Sequence, residues 1–350
     1  MVNLGSLLAT APTGFWESII GAFNNTFLNY ALAIIMLTLC IKLILLPTDY
    51  LNKYITRKTS RAQAELKPEL EAIEKKYGKD PQVKNQKVQE LYKKKGVKIG
   101  GSCIVTLVTI TVSMLVFITL FSGLNKMSAY KITSQYEQLE VVYDQNIGSK
   151  SEQEILNANE QVRVKYDEIK DSFLWIKNVW IAESPLKNPI PSFDEYKAIA
   201  KSGKIGEEYK EFSKMSEEEL ANAKEKYEAV MGPLRENQGV NGYFILTIIV
   251  AGCTVLMQLV SQGKFSKKKN VMPADPNQGA ANKVMLVLMP ALMGYICLST
   301  NSVFALYLVA SQIFSCATTP LIDLILNKFD KKKEDRQFEE QMKKKGRIVR

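Results

Sequence analysis

The stretch TLCIKLILLP, residues 38–47, ends a run of about twenty almost wholly apolar residues that begins at Phe27. A run of this length crosses the hydrocarbon core of a bilayer as one α-helix. Lys42 lies inside the run, and a charged side chain in a membrane span needs either a route to the lipid headgroups or a polar partner within the protein. From these residues alone, Lys42 either reaches the lipid headgroups or contacts a polar group of the protein.

Four further apolar runs follow along the 350-residue chain, and each has the size that a membrane span requires. The sequence therefore predicts an all-α membrane protein with five transmembrane helices. The predicted spans cover residues 27–47, 99–123, 241–262, 284–300 and 303–326.

The distribution of lysine and arginine predicts the orientation of these spans. Residues 49–98 carry 14 Lys and Arg against 7 Asp and Glu, residues 263–283 carry 5 against 1, and residues 327–350 carry 10 against 5. Cytoplasmic segments of membrane proteins are rich in lysine and arginine. We therefore expect the N-terminus outside and the C-terminus in the cytosol. The expected cytosolic parts are 48–98, 263–283 and the basic tail 327–350; the expected external parts are an N-terminal segment, 1–26, and a long helical loop, 124–240.

Two amphipathic stripes in the cytosolic segment 48–98 predict a helical hairpin. The first stripe consists of Ala62, Leu66, Leu70, Ile73 and Tyr77. Residues 78–81 then form a turn, a second stripe begins at Val88, and Pro68 marks a bend. The hairpin is either a solvated coiled coil that links two spans or a contact for anionic headgroups or ribosomal RNA.

The sequence lacks the residue types and motifs of the common enzyme classes. With no histidine, the chain has no Ser-His-Asp triad and no HExxH zinc site, and it contains no GxxxxGK[ST] phosphate loop. Asp323 is the acidic residue within a predicted span, and we expect it at the membrane interface. The cysteines all fall in predicted spans, which favours packing over metal or disulfide chemistry: Cys40, Cys103, Cys253, Cys297 and Cys316. The sequence therefore predicts neither an enzyme nor a bound cofactor or metal.

Polar side chains recur at helical spacing on four of the predicted spans. They are Thr38 and Lys42; Thr106, Thr109 and Ser113; Thr247, Thr254, Gln258 and Gln262; and Tyr307, Ser311 and Ser315. Such groups serve either as contacts between packed helices or as the polar lining of a cavity. Lys42 itself has two interpretations, because it lies only about 7 to 8 Å from the end of its span and a lysine stem reaches the headgroups from there.

An ordered series of motifs resembles the YidC-type membrane protein insertases, the bacterial branch of the YidC/Alb/Oxa superfamily. The motifs are IKLILLP (41–47), KPEL (67–70), KYGKDP (76–81), LYKKKGVKIGGSC (91–103), FLWIKNVWIAESP (173–185), MLVLMPALMGYICL (285–298) and ALYLVASQIF (305–314). The resemblance extends over residues 28–121, 173–191 and 242–326. Because the motifs occur in this order along the chain, the set as a whole is specific for the family.

The chain departs from this family at several positions. Lys42 stands where arginine is usual, GGSCIV replaces a Gly-Cys-Leu-Pro start of the second span, and Thr109, Ile110 and Thr111 replace a Gln-x-Pro. In the last span Leu308 replaces tryptophan and Gln312 replaces asparagine. The sequence is thus identified as a divergent member.

The resemblance implies a function for the polar stripes. It predicts a hydrophilic groove through which substrate polypeptides enter the bilayer without ATP hydrolysis by this chain. The predicted groove residues are Lys42, Thr38, Thr106, Thr109, Ser113, Thr247, Thr254, Gln258, Tyr307, Ser311 and Gln312. The implied partners are nascent membrane proteins, the lipid bilayer, the ribosome and the Sec translocon, with no small-molecule substrate, in a bacterial plasma membrane. The alternative is a membrane receptor or regulator that uses residues 124–240 as its sensor.

Overall fold

The computed structural model describes residues 12–78, 80–96, 99–148, 151–203, 212, 215–261 and 276–348. Within these ranges every regular element is an α-helix, and the only β feature is an isolated bridge between Phe173 and Ile176. The all-α class that the sequence predicts is therefore confirmed for the described residues. The helices are α1 (Phe15–Phe27), α2 (Tyr30–Glu65), α3 (Lys67–Tyr77), α4 (Pro81–Lys94), α5 (Ile99–Asn146), α6 (Glu152–Ile169), α7 (Phe193–Gly203), α8 (Glu217–Gln238), α9 (Ile245–Ser261), α10 (Pro276–Ser299) and α11 (Ser302–Ile348).

Three stretches of described helix are long and apolar enough to cross a membrane: Tyr30–Thr59, Ile104–Asn146 and Ser302–Lys332. Two apolar helices are shorter, Ile245–Val260 and Val284–Ser299. These two correspond to the third and fourth predicted spans. Three spans are thus supported by length and composition, and the count of five stays a prediction.

Pro47 and Pro68 have different effects on α2 and α3. Pro47 lies inside α2, which continues to Glu65, whereas Pro68 occupies the first turn of α3 after the chain leaves helical geometry at Leu66. A proline inside a helix removes one backbone hydrogen bond, but at the start of a helix its missing N–H has no partner to lose. The apolar span and the first part of segment 48–98 are therefore one continuous helix.

α3 and α4 form a helical hairpin. The Asp80 carboxylate accepts hydrogen bonds from the N–H groups of Gln82 and Val83, at 3.0 and 3.1 Å, and so caps the N-terminus of α4. Glu69 and Lys95 form an ion pair of 2.7 Å between the two ends of the hairpin. A side-chain cap thus begins α4 at the end of the turn that the sequence indicates at residues 78–81, of which residue 79 lies outside the described residues.

The chain folds as two compact units. The first unit contains the described residues within 1–40, 114–252 and 289–311, and the second contains those within 41–113, 253–288 and 312–350. Helices α2, α5, α9, α10 and α11 each contribute to both units. The α3–α4 hairpin belongs to the second unit, and α1, α6, α7 and α8 belong to the first.

α1 lies almost wholly in residues 1–26, a segment that we expect outside the membrane and for which the sequence predicted no helix. The signal was present, because Trp16, Ile20, Phe23 and Phe27 recur at the spacing of one helix face. Ile20 is fully buried. The helix thus packs its apolar face into the first unit.

Tyrosine and phenylalanine rings form the core between α5, α7 and α8. Tyr136, Phe193, Tyr196 and Tyr227 pack with ring centroids 4.9 to 5.6 Å apart. Such pairs bury large apolar areas and add a specific ring–ring attraction. The loop that the sequence predicts as helical thus has an aromatic core of its own.

Lys226 on α8 forms ion pairs with two carboxylates of α5 next to these rings. Lys226 Nζ lies 2.6 Å from the nearly buried carboxylate of Glu140 and 3.0 Å from that of Asp144. Partial burial opposes the charge on Lys226, but the two carboxylates outweigh that effect and raise its pKa. The two ion pairs of Lys226 therefore join α8 to α5.

Residues 173–185, FLWIKNVWIAESP, tie several helices of the first unit together. Ser128 on α5 donates to the carbonyl of Trp180 at 2.9 Å, and the N–H of Ser302 at the start of α11 donates to the carbonyl of Ile181 at 3.0 Å. The buried Asn241 amide donates to carbonyls in the same stretch, including that of Ile181 at 3.2 Å. Backbone groups that leave regular structure must find such partners when they are buried.

Glu183 caps the N-terminus of α9. Its carboxylate is 1% exposed and accepts hydrogen bonds from the N–H groups of Tyr243 at 2.6 Å and of Ile245 and Leu246 at 3.2 Å. The indole N–H of Trp175 donates to it at 3.2 Å. A carboxylate at this end of a helix satisfies free N–H groups and interacts favourably with the helix dipole.

Replacing Glu183 by alanine removes the acceptor for these N–H groups. Because they are buried or partly buried, we expect Glu183→Ala to lower the free energy of unfolding by about 2–4 kcal/mol. Thermal unfolding in detergent, with hydrogen exchange at the first turn of α9, measures the effect. Glu168 is the control: it forms an exposed pair with Lys165 at 3.1 Å, and Glu168→Ala should cost less than about 1 kcal/mol. Equal losses from both variants would contradict the prediction.

Candidate functional site

Lys42 meets α11 inside the second unit. Its Nζ donates to the hydroxyl of Ser315 at 3.4 Å, a contact between residues 273 positions apart in the chain. Among the residues that the structure describes, no carboxylate oxygen lies within 4.0 Å of this ammonium group. The half-buried lysine therefore has a polar partner of its own within the protein, and that partner carries no charge.

Asp49 lies on α2, seven residues after Lys42, and its half-buried carboxylate interacts electrostatically with Lys42. Seven residues correspond to almost two helical turns, so the two side chains share a face of α2. The surroundings of Lys42 thus contain a hydroxyl group in direct contact and a carboxylate at longer range.

Further along the same face, three cations of α2 pair with two carboxylates of α11. Lys53 Nζ lies 2.7 Å from Asp323 Oδ2 and donates to the carbonyl of Thr319 at 2.8 Å. Arg57 lies 3.4 Å from Asp323 and also 3.4 Å from Asp330. Arg61 lies 2.7 Å from Asp330. We call these five side chains, Lys53, Arg57, Arg61, Asp323 and Asp330, the ion-pair ladder.

α5 contributes Thr106 to the polar surroundings of α2. The Thr106 hydroxyl donates to Asn52 Oδ1 at 3.1 Å. Thr109 is half-buried and donates to the carbonyl of Val105 on its own helix at 2.9 Å, and Ser113 is exposed. Of the three predicted residues on this span, Thr106 is thus the one whose side chain bonds to a neighbouring helix in the described structure.

The remaining predicted residues of the second unit lie on α9 and α11. Thr254 is buried, and the carbonyl oxygen of the Gln258 side chain is buried with no hydrogen-bond partner in the described part of the chain. Gln312 is half-buried. A buried amide oxygen without a donor is costly, and water or a bound polypeptide relieves that cost.

Four predicted residues belong to the first unit. Thr38 is buried and donates to the carbonyl of Ile34 one turn before it, at 2.6 Å. Tyr307 is buried with its ring stacked on Phe304, at a centroid distance of 5.6 Å. Thr247 has a buried hydroxyl oxygen, and Ser311 is half-buried. Within this unit, Thr38 and Tyr307 make the contacts of packed core residues.

The ladder and Asp49 were not among the predicted site residues. A signal existed in the sequence, since charges recur on α2 at positions 42, 49, 53, 57 and 61, in steps of seven and four. The first span was predicted to end at Pro47, and the pattern of charges continues past that residue on the same helix. Asn52, the partner of Thr106, was missed for the same reason.

The ladder makes a testable contribution to stability. Asp323→Lys places a third cation beside Lys53 and Arg57, so we expect the free energy of unfolding to fall by about 1–3 kcal/mol, given that the paired side chains are about one third exposed. The exchange Lys53→Asp with Asp323→Lys should recover much of this loss. A double-mutant cycle on unfolding measures the coupling. The exposed pair Lys87–Glu90 on α4, at 2.8 Å, is the control; a coupling no larger than its own would refute the prediction.

Comparison with known proteins places the whole of this region in one family. The sequence model of the family described as "60Kd inner membrane protein" matches residues 22–332. Among curated relatives, the membrane protein insertase YidC of Fusobacterium nucleatum is 37% identical over 99 residues, which are 27% of this chain and 45% of that protein. The protein of the same name from Clostridium tetani is 44% identical over 81 residues, or 23% and 35% of the two chains.

The YidC insertase of Clostridium perfringens is 30% identical over 131 residues, which are 36% of this chain and 50% of that protein. These matches therefore span half or less of the relatives' own length. The family match extends over most of the chain, and the apolar helices agree with a multi-pass protein of the bacterial membrane. The chain belongs to the 60Kd inner membrane protein family, which confirms the resemblance to the YidC-type proteins.

Proposed function

We propose that this protein is a membrane protein insertase that lets substrate polypeptides enter the bilayer through a hydrophilic, cation-containing groove. The observation that carries the proposal is the state of Lys42 in a chain of this family. It is a half-buried cation within an apolar helix, in contact with the hydroxyl of Ser315 and with no carboxylate within 4.0 Å among the described residues. Such a charge is available to a substrate.

The groove that we propose is built in the second unit. It contains Lys42, Thr106, Thr109, Ser113, Thr254, Gln258 and Gln312. The buried, unpartnered amide oxygen of Gln258 supports a wet or substrate-filled space there. Thr38, Thr247, Tyr307 and Ser311 belong to the first unit, and their part in a groove stays a prediction from the sequence.

The mechanism needs no chemical step. A short polar or acidic segment of the substrate enters the groove, where Lys42 offsets its charge and the polar side chains replace part of its water. The apolar helix of the substrate then partitions into lipid and gains about 25 cal/mol for each Å² of apolar surface that leaves water. This gain drives insertion without ATP hydrolysis by the chain.

The proposed topology follows from the charge distribution. Five spans place the N-terminus and residues 124–240 outside and the α3–α4 hairpin and residues 327–350 in the cytosol of a bacterium. Nascent membrane proteins are the proposed substrates, and the ribosome and the Sec translocon are the proposed partners.

Substitutions of Lys42 test the groove. Lys42→Arg keeps the charge, so we expect near wild-type insertion, whereas Lys42→Ala and Lys42→Glu should slow the insertion of a single-span substrate with an acidic head by about tenfold or more. The measurement is the insertion rate into lipid vesicles that hold matched amounts of folded protein. The same substrate with amides in place of its carboxylates is the control, and its insertion should depend less on residue 42.

A wild-type rate for Lys42→Ala would contradict this role and would indicate that the ammonium group lies among the headgroups, where its removal costs little. Depletion of the protein separates the insertase from the receptor alternative. Loss of a receptor leaves the insertion of nascent membrane proteins unchanged, and loss of an insertase does not.

The basic tail provides a test of the ribosome as partner. A chain that ends at Lys332 keeps Asp330 of the ladder but loses 7 of the 10 tail cations. We expect its co-sedimentation with ribosomes to fall about tenfold at low salt, and wild-type binding to weaken steeply as salt rises, because phosphate contacts release counterions. Glu339→Gln with Glu340→Gln is the control, which keeps every tail cation and should bind at least as well as wild type. Equal binding by the shortened and full chains would exclude a role for the tail.

A further inference from the structure

Asp49 lies between two lysines of α2 and interacts with one of them. Lys53 is four residues further on, and its ammonium group is already engaged by Asp323 and by the carbonyl of Thr319 on α11. Lys42, seven residues before Asp49, carries the opposite charge on the same face of α2. Seven residues place two side chains within about 20° of each other around a helix, whereas four place them about 40° apart.

Neither charge of this pair has a close ionic partner. Among the residues that the structure describes, no oppositely charged atom lies within 4.0 Å of Lys42 Nζ or of the Asp49 carboxylate. Lys42 has the Ser315 hydroxyl at 3.4 Å, and both residues are half-buried. Charges that are partly removed from water are costly unless they are paired. An attraction across several ångströms offsets only part of that cost. A ligand that pairs directly with one of these charges therefore gains free energy on binding.

We propose that Asp49 competes with the carboxylate of a substrate for Lys42. This inference rests on the proposed insertase function. An acidic substrate segment that reaches Lys42 replaces a long-range attraction by a direct contact of about 2.8 Å. Because Asp49 attracts the same ammonium group, it weakens the binding of acidic segments to Lys42 and promotes their release. Lys42 attracts the substrate, and Asp49 limits how tightly the substrate is held.

The consequence is a specificity that depends on the charge of the substrate. Without the charge of Asp49, the positive potential at Lys42 rises. The dissociation constant of an acidic segment should then fall by about three- to tenfold, as expected for charges several ångströms apart in a partly desolvated site. A segment with asparagine and glutamine in place of its acidic residues should show little change.

The test is a double-mutant cycle on binding. A fluorescent acidic peptide and its amide counterpart are titrated against full-length protein in lipid nanodiscs, for wild type, Asp49→Asn, Lys42→Ala and the double variant. We expect Asp49→Asn to lower the dissociation constant of the acidic peptide and to leave that of the amide peptide unchanged. This effect should vanish in the Lys42→Ala background. Asp49→Ser, a second neutral variant, should agree with Asp49→Asn. Asp167→Asn, which removes an exposed carboxylate of α6, is the matched control and should change neither titration.

Two results would overturn the inference: equal affinities for the acidic peptide in wild type and Asp49→Asn, or a tightening that persists without Lys42. Insertion into vesicles is measured separately on the same proteins. Absence of insertion by wild type would refute the proposed function. Normal insertion with no coupling between the two residues would refute the role of Asp49 and leave the proposed function standing.

Discussion

A charge on an apolar helix needs a polar partner within the protein or a route to the lipid headgroups, and much of the second unit follows from this constraint. α2 carries cations beyond the first apolar run, and α11 carries Asp323 near the end of the last apolar run and Asp330 beyond it. Lys53 and Asp323 are 270 residues apart and meet at 2.7 Å. Pairing therefore brings together two helices that no local preference would join. It also keeps the long extension of α2 beside α11.

Lys42 is the exception on this face, and its incomplete pairing is the basis of the role that we propose for it. The three cations that follow it have carboxylates of α11 in contact, whereas Lys42 has a hydroxyl group and the more distant Asp49. A structural role would be better served by a direct ion pair. A role in binding requires that the charge of Lys42 have no direct ion pair. Ser315 and Asp49 reduce the free-energy cost of a partly buried charge in that state. The same physical terms thus distinguish the residues that hold α2 against α11 from the residue that we propose as a contact for substrates.

The sequence predicted the helical class, the turn between α3 and α4 and the family, because periodicity, capping and ordered motifs are local properties. It missed the continuation of α2 past Pro47. An internal proline removes one hydrogen bond, a local cost that contacts elsewhere offset, and Lys53 and Arg57 make such contacts with α11. It also missed α1 and the capping of α9 by Glu183, whose acceptor atoms meet N–H groups about sixty residues away.

The sequence by itself determined which segments are apolar, which are basic and which polar residues share a helix face, since these depend only on the order of residues and the pitch of a helix. Only the tertiary structure decided which of those residues meet. Thr106 bonds to Asn52 and Lys42 to Ser315, while Thr38 turns back to its own helix. The physical reason is that a polar contact forms where packing brings donor and acceptor within about 3 Å, and the position of one helix against another is set by all of their side chains together.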